Sequence, residues 1–537
     1  MRGLMEHASD RVVVNWRLPG LVGIGLLLFY LLTFPGAISP RVSDDQAMYL
    51  VTRAIVDRWD VAIVPGSPSE VAVTAGWQPV PLPTGFCPTE RSVLGMGERP
   101  GGPFFVKYGI GQSIAAVPLY VLGRLVALAL PLNLRDETAA FVTSMYCSII
   151  TALTAALLCA LALRLGWSGR TALALALLFG LATPAWAYTS TFFSEPTIGL
   201  CLVGAVTALL WDSMPTMKTT LTAGCWLGAA TLTHLGDTIF YALIPVAFIL
   251  LYTEAAARLR LLIALCAPIG VALLCTAWYD LARYGSPLRT GYGIVGDHHD
   301  LHPPHTLQGL WEGIYGPILS PGKGLLLYAP ILILALLGWR RLGRQVRGGL
   351  LLVAGLCTVA VLVHANTLII WLGGWAWGPR FVIPIIAIAL LPLGVLLEAA
   401  IPWARVAAWL LGAAGMIIQL PGVLLDKGVY ISYLNTHETD AQGRSCIWHT
   451  EDLYKWHPQY SPIIGQWQRF LDPGTYTLGL PRWRNAASIA DGRLVPEPHT
   501  WWAILAAQAV AWPVLGCACA VLALGAAATL GAAVRAT

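Results

Sequence analysis

Two adjacent carboxylates, Asp44 and Asp45, follow directly on the first long apolar run of the chain and lead into residues 50–60, which read as a helix. A carboxylate held just outside a bilayer can take the proton of a hydroxyl group as a general base. The same pair would also complement the dipole at the start of that helix. Charge is scarce in this chain, so a pair placed where the first helix leaves the lipid asks for a reason beyond capping. Glu195, in Thr191-Phe192-Phe193-Ser194-Glu195-Pro196, is a third acidic candidate. It stands directly before a proline at the start of an apolar run, where it either complements the helix dipole or assists the base and positions an acceptor.

Cations accompany these carboxylates in short Gly/Pro-rich turns. Lys107 opens Lys107-Tyr108-Gly109-Ile110-Gly111-Gln112, and Lys323 lies in Ser320-Pro321-Gly322-Lys323-Gly324. Arg380 ends Trp375-Ala376-Trp377-Gly378-Pro379-Arg380, and Arg289 and Tyr292 fall in the run 283–293. A single such cation can be an interfacial anchor that snorkels to lipid phosphates. Glycine and proline beside it fix a backbone, which suits the holding of one phosphate at the membrane surface. Carboxylates and phosphate-binding cations on one face imply transfer of a group from a phosphate-bearing lipid.

The elements that must position these residues are membrane spans. Of 537 residues, 57% are hydrophobic and 11% charged, against about 25% charged in an average soluble domain. The chain is therefore read as an all-α polytopic membrane protein. Its net charge of +5 is spread over short loops with no basic run that would track nucleic acid. Spans are expected at 18–38, 139–163, 171–189, 196–212, 219–234, 238–253, 260–280, 324–339, 349–370, 381–398, 405–424 and 501–530. The two flanking His234 to Asp237 are short for a full crossing, with half-helices that dip towards the site as the alternative. Residues 107–130 are taken as an interfacial segment, because a crossing there would put Arg164, Arg170 and the arginines of 340–347 outside. Twelve crossings place both termini in the cytoplasm. The external face then receives the large first loop 39–138, which carries interfacial helices, with 188–195, 281–323, 371–380 and a folded cap at 426–500. Residues 501–537 supply the last transmembrane helix and a cytoplasmic tail.

Several motifs are set aside. Residues 291–296 match a dinucleotide fingerprint by letter but follow no strand, and Gly322-Lys323 lacks the rest of a phosphate-binding loop. His298, His299, Asp300, His302 and His305 read as a solvated Pro-rich loop, and no cysteine spacing suits zinc. No cofactor or metal is expected, although a divalent cation would be compatible with the chemistry. Nine of the eleven cysteines lie in apolar segments as small packing residues. Cys87 and Cys446 fall in external loops, where an oxidising compartment permits a disulfide between them.

In order and spacing these motifs resemble the GT-C glycosyltransferases, membrane enzymes that take a sugar from a polyprenyl-phosphate carrier. The resemblance covers 18–425. It rests on Asp44-Asp45 with Tyr49 and Thr52-Arg53 behind them, on Lys107 to Gln112, and on Phe193-Ser194-Glu195-Pro196. Tyr284-Gly285-Ser286-Pro287, Ser320 to Gly324 and Trp375 to Arg380 complete it. Within that fold the chain is most similar to the bacterial family related to protein mannosyltransferases and the aminoarabinose transferase of lipid A. The resemblance implies a GT-C catalytic module over 1–425 in a bacterial plasma membrane, with its active site on the extracytoplasmic side. It also implies a catalytic aspartate in the first external loop and a phosphate-holding lysine at Lys107. Relatives carry an Asp-Glu pair where this chain has Asp-Asp. Counting back from Tyr49 favours Asp45 as the base, and counting back from Thr52-Arg53 favours Asp44.

The expected reaction is inverting transfer of a monosaccharide from a polyprenyl-phosphate donor to a hydroxyl of a glycan, lipid or protein acceptor. Asp44 or Asp45 would act as base with Glu195 assisting, and Lys107, Lys323 and Arg380 would stabilise the leaving phosphate. Tyr49, Arg53, Tyr108, Gln112, Arg289, Tyr292 and Trp377 are the expected substrate contacts. A multi-pass transporter or lipid flippase is the competing class, but acidic residues are nearly absent at mid-depth and the halves are unrelated. A pyrophosphate-lipid oligosaccharide transferase is a second alternative, which a divalent-metal requirement would favour.

Overall fold

The computed structural model describes residues 14–34, 44–63, 95–97, 104–291, 307–365, 371, 373–374, 376–425, 430–431, 434, 438, 453–471, 501 and 512–537. Among these residues the architecture is the expected helical one. The sheet they contain is a two-stranded antiparallel ribbon, Gly95–Gly97 against Phe104–Val106, which delivers the chain to Lys107.

Each of the twelve expected segments contains a helix among the described residues. Six have the length and apolar composition of a complete span: Arg135–Arg164, Leu235–Tyr252, Ala255–Tyr284, Arg380–Glu398, Pro402–Leu424 and Pro513–Arg535. Shorter apolar helices, among them Arg17–Leu32, Gly169–Ala182 and Glu195–Leu210, supply much of the rest. Prolines account for two departures from the expected boundaries. The span expected at 324–339 divides into Leu325–Tyr328 and Ile331–Gln345, because Ala329, before Pro330, leaves the helical region. The span expected at 171–189 ends at Ala182, and Pro184 opens a separate turn, Ala185–Tyr188.

Burial sorts these helices into two layers. Of the apolar window of Arg380–Glu398, 89% is buried, against 33% for Ala255–Tyr284 and 11% for Pro513–Arg535. Glu195–Leu210 is buried along nearly its whole length. The outer helices instead expose Leu251, Leu274, Trp278, Trp409, Val521 and Leu524. Apolar surface on that scale is stable against hydrocarbon rather than water, and the helices satisfy their own backbone groups. This is a multi-pass membrane protein.

The run 107–130 forms the helices Gly111–Ala115 and Val117–Ala127, separated at Ala116 before Pro118. Eleven residues rise about 16 Å, roughly half the hydrocarbon thickness, so the longer piece cannot cross alone. It buries Tyr120, Gly123 and Ala127, packs against Arg135–Ser144, and leaves Leu122, Leu125 and Val126 exposed. That is the pattern of a helix lying along an apolar surface. The described part of 426–500 docks on the turn 320–324. Ser461 Oγ donates to the Pro321 carbonyl at 2.9 Å, and Gly322 N donates to the Lys455 carbonyl at 3.4 Å.

Close helix crossings depend on small residues. A Cβ at Gly338 would lie 2.0 Å from the Pro392 carbonyl oxygen, where Ile331–Gln345 meets the inner helix Ile386–Glu398. Gly270, on the outer helix, has no heavy atom within 4 Å of the same position. We expect Gly338→Ala to cost about 1–3 kcal/mol and Gly270→Ala to be neutral or slightly stabilising. Thermal unfolding of the two variants in the same detergent checks both signs.

Candidate active site

Asp44 and Asp45 occupy the first turn of the helix Asp44–Arg58, where the dipole favours them. Capping is not their whole role. Asp44 Oδ2 accepts from Arg380 Nη1 at 2.5 Å, across 336 positions of sequence, and its Oδ1 accepts from the Tyr108 hydroxyl. Arg380 turns its other edge to Glu195, with Nε donating to Oε1 at 2.6 Å. The guanidinium lies 3.7 Å from the centre of the Phe193 ring, so the segment that supplies Glu195 also supplies the surface on which Arg380 rests. The Arg380 side chain is 10% exposed, Glu195 6% and Asp44 23%; Asp44 is thus the carboxylate of this group that is open to an incoming molecule.

Local sequence explains how each member arrives. Pro196 sits in the first turn of Glu195–Leu210 and fixes that start, with Glu195 at its head. Arg380 begins the 3₁₀ turn Arg380–Ile385, approached through Gly373, Gly374 and Gly378, all with positive φ. A Cβ at Gly373 would fall 2.5 Å from that of Arg380. Lys107 and Tyr108 follow the ribbon strand Phe104–Val106. Thr52 Oγ1 donates to the Ser113 carbonyl at 3.1 Å and Ser113 Oγ to that of Met48 at 3.0 Å, which locks Gly111–Ala115 against the Asp44 helix.

Electrostatics reflect this convergence. Burial alone would raise the Asp44 carboxyl, but Arg380 and Lys107 nearby and the hydrogen bonds from Tyr108 and Arg380 outweigh it, lowering it to about 2. Burial pushes the Lys107 ammonium down, Asp44 pulls it up and Arg380 adds to the lowering, for a net decrease. The Lys107 ammonium also lies 5.4 Å from the centre of the Tyr108 ring. Glu195 Oε2 is buried and has no partner among the described residues.

The other residues expected from sequence fall elsewhere. Lys323 is fully buried, and its Nζ donates to the Gly374 carbonyl at 2.9 Å and the Ala376 carbonyl at 2.5 Å. It braces the turn that delivers Arg380 rather than joining the carboxylates. Tyr49 and Arg53 lie about 140° and about 180° around the helix from Asp44, at about 100° per residue. Tyr49 packs on Tyr120, and Arg53 pairs with Asp57 and Asp136 at 3.5 and 3.6 Å, so both face the interfacial helices. Gln112 is fully buried; it donates to the Phe192 carbonyl and accepts from Thr197 at 3.1 Å. Trp377 is buried and donates to Gln419 at 2.9 Å. These two tie the site's walls together instead of presenting polar atoms to it. Arg289 is exposed. Asp45 is half-buried in the same turn as Asp44. Tyr292, Cys87, Cys446 and the histidines of 298–305 lie outside the described residues.

Sequence reading missed the support beneath Lys107. Arg283 Nη1 donates to the carbonyls of Val106 at 2.6 Å and Tyr108 at 3.1 Å, and Arg283 Nη2 is held by Asp280 at 2.5 Å. The available signal was an Asp-x-x-Arg pair at helical spacing near the outer end of an otherwise apolar span.

No family model and no curated protein matches this chain. Among solved structures it is similar to the crystal structure of ArnT from Cupriavidus metallidurans bound to undecaprenyl phosphate. That match has 14% sequence identity and a TM-score of 0.45, covering 96% of this chain and 76% of the other.

Removing Arg380 would strand two carboxylates. We expect Arg380→Met to destabilise the protein by about 3–5 kcal/mol, and adding Asp44→Asn with Glu195→Gln to recover most of it. A depressed carboxyl stabilises the fold above its ordinary pKa of 3.8 and loses that contribution as pH falls towards about 2. Asp44→Asn should therefore flatten the pH dependence of stability between about pH 4 and 2. Unfolding curves in detergent across that range test this.

Proposed function

We propose that the chain is an inverting GT-C glycosyltransferase. In this reading it moves a monosaccharide from a polyprenyl-phosphate donor to a hydroxyl of an envelope acceptor, on the extracytoplasmic face of a bacterial plasma membrane. Residues 426–500 act as an external cap on the module 1–425. The observation that carries the reading is the convergence of Asp44, Lys107, Glu195 and Arg380 from four distant stretches into one charged group. Burying charges in a membrane protein is costly, and a group of this kind is retained where it does chemistry.

Asp44 is assigned the base, because it is the aspartate that meets the cations and keeps an exposed edge. The acceptor oxygen attacks the anomeric carbon while Asp44 takes its proton. The bond from that carbon to the phosphate oxygen breaks on the opposite face, and its electron pair leaves with the phosphate. A phosphate leaves without being protonated, so one carboxylate suffices where a glycosidase needs two. Arg380 is engaged with two carboxylates. The developing phosphate charge is therefore assigned to Lys107, with Arg380 and Glu195 holding Asp44 in place.

Purified protein in detergent, given a labelled sugar on polyprenyl phosphate and envelope extract, is expected to transfer label. Asp44→Asn should lower turnover by about 10²- to 10⁴-fold with donor binding retained, and Lys107→Ala should weaken donor binding. Near-normal transfer by both Asp44→Asn and Asp45→Asn would end the assignment.

A further inference from the structure

We propose that Arg283 is a positioning residue, whose guanidinium fixes Lys107 and Tyr108 in register with Asp44 by gripping the backbone on both sides of Lys107. The inference rests on the sugar-transfer reading of that site. Lys107 and Tyr108 belong to an irregular stretch between a three-residue strand and a five-residue helix, so no regular hydrogen-bond ladder sets their direction. One side chain does so instead. The two protons of Arg283 Nη1 serve the Val106 and Tyr108 carbonyls, and Tyr284 OH adds a second bond to Val106 O at 2.9 Å. Both lone pairs of the Val106 carbonyl are then used.

The grip is itself held from behind. Asp280 fixes Nη2, and the guanidinium carbon lies 3.6 Å from the centre of the Tyr279 ring and 4.7 Å from that of Tyr284. The side chains of Arg283 and Asp280 are each 3% exposed. From another side the backbone at Gly291 abuts Lys107, where a Cβ would fall 2.5 Å from the Lys107 Cα. Beyond it, Gly109 and Gly111 close on the backbone of Leu232 and Thr233. A buried ion pair of this kind seldom adds net stability over apolar residues of equal volume. Its worth here is directional: a planar fork can hold two carbonyls and a carboxylate at fixed angles, which a lysine ammonium cannot.

The consequence reaches Asp44 through both gripped residues. Asp44 faces Arg380, Lys107 and Tyr108, with Glu195 across Arg380. Arg283→Lys keeps the charge opposite Asp280 but releases the fork. Lys107 and Tyr108 then drift, and burial raises the Asp44 carboxyl towards the ordinary carboxylate range.

Two measurements on the full-length protein test this. Hydrogen exchange across 104–110 should quicken by about tenfold or more in Arg283→Lys while the inner helices keep their protection. In the transfer assay, wild-type kcat/KM should stay flat from pH 5 to about 3.5, since the phosphodiester donor does not titrate there; that of Arg283→Lys should fall across the same interval. If Arg283→Lys fails to fold, Tyr284→Phe removes one bond to Val106 and should give smaller changes of the same sign. Unchanged exchange across 104–110, or activity lowered equally at every pH, overturns the proposal. Wild-type protein that transfers no sugar ends the glycosyltransferase reading instead, and the exchange experiment then decides whether Arg283 grips this backbone.

Discussion

The Arg380 guanidinium is the constraint on which the rest of the candidate site depends. Its two edges hold Asp44 and Glu195 while its face rests on Phe193, so two otherwise separate elements meet on the cation of a third. Each carboxylate would be expensive to bury alone. Together with Arg380 they make a compact, low-exposure group whose geometry is fixed by one charge-assisted hydrogen bond to each carboxylate as well as by packing. Lys107 adds a second positive charge at the side of Asp44, and the formal charges of the four then cancel. On the proposed reading, a donor phosphate meets a balanced group and competes with the carboxylates for its cations.

Around this hub, buried polar and charged side chains serve to grip backbone carbonyls. Arg283 holds the carbonyls beside Lys107, and Lys323 holds those of the turn leading to Arg380. Gln112 ties the short helix after Lys107 to the Phe192 carbonyl just ahead of Glu195. All three place a buried polar side chain against irregular backbone. At the edge of a membrane such backbone has few other partners, and an unsatisfied carbonyl there is costly. The inner helices Glu195–Leu210 and Ile386–Glu398 anchor the hub itself: the first carries Glu195 at its head, and the second continues from the turn that carries Arg380.

Much of this was legible in the sequence because charge is scarce in a chain of this composition. Asp44, Lys107, Glu195 and Arg380 were singled out simply as charged residues at the outer ends of apolar runs. Helix periodicity would also have separated Tyr49 and Arg53 from Asp44, since positions five and nine residues on point away from it. What the sequence could not separate was a lysine beside the carboxylate group from one that braces a loop. Lys107 and Lys323 stand in similar glycine-rich turns, and only tertiary contacts with the Gly374 and Ala376 carbonyls distinguish the second. Arg283 was hidden for a related reason: the Asp280 pair marks it in the sequence, but the main-chain carbonyls it grips lie about 175 residues earlier and carry no side-chain signature.

The 336-residue separation between Asp44 and Arg380 also bears on biogenesis. At roughly 5–20 residues per second, synthesis leaves a gap of about 20–70 s between the emergence of the carboxylate and that of its counter-ion. During that interval Asp44 has to stay hydrated at the membrane surface, and the helices already inserted cannot close over it. Maturation of this centre is consequently a post-insertion event, governed by the arrival of the late helices rather than by the order in which the early ones enter the bilayer.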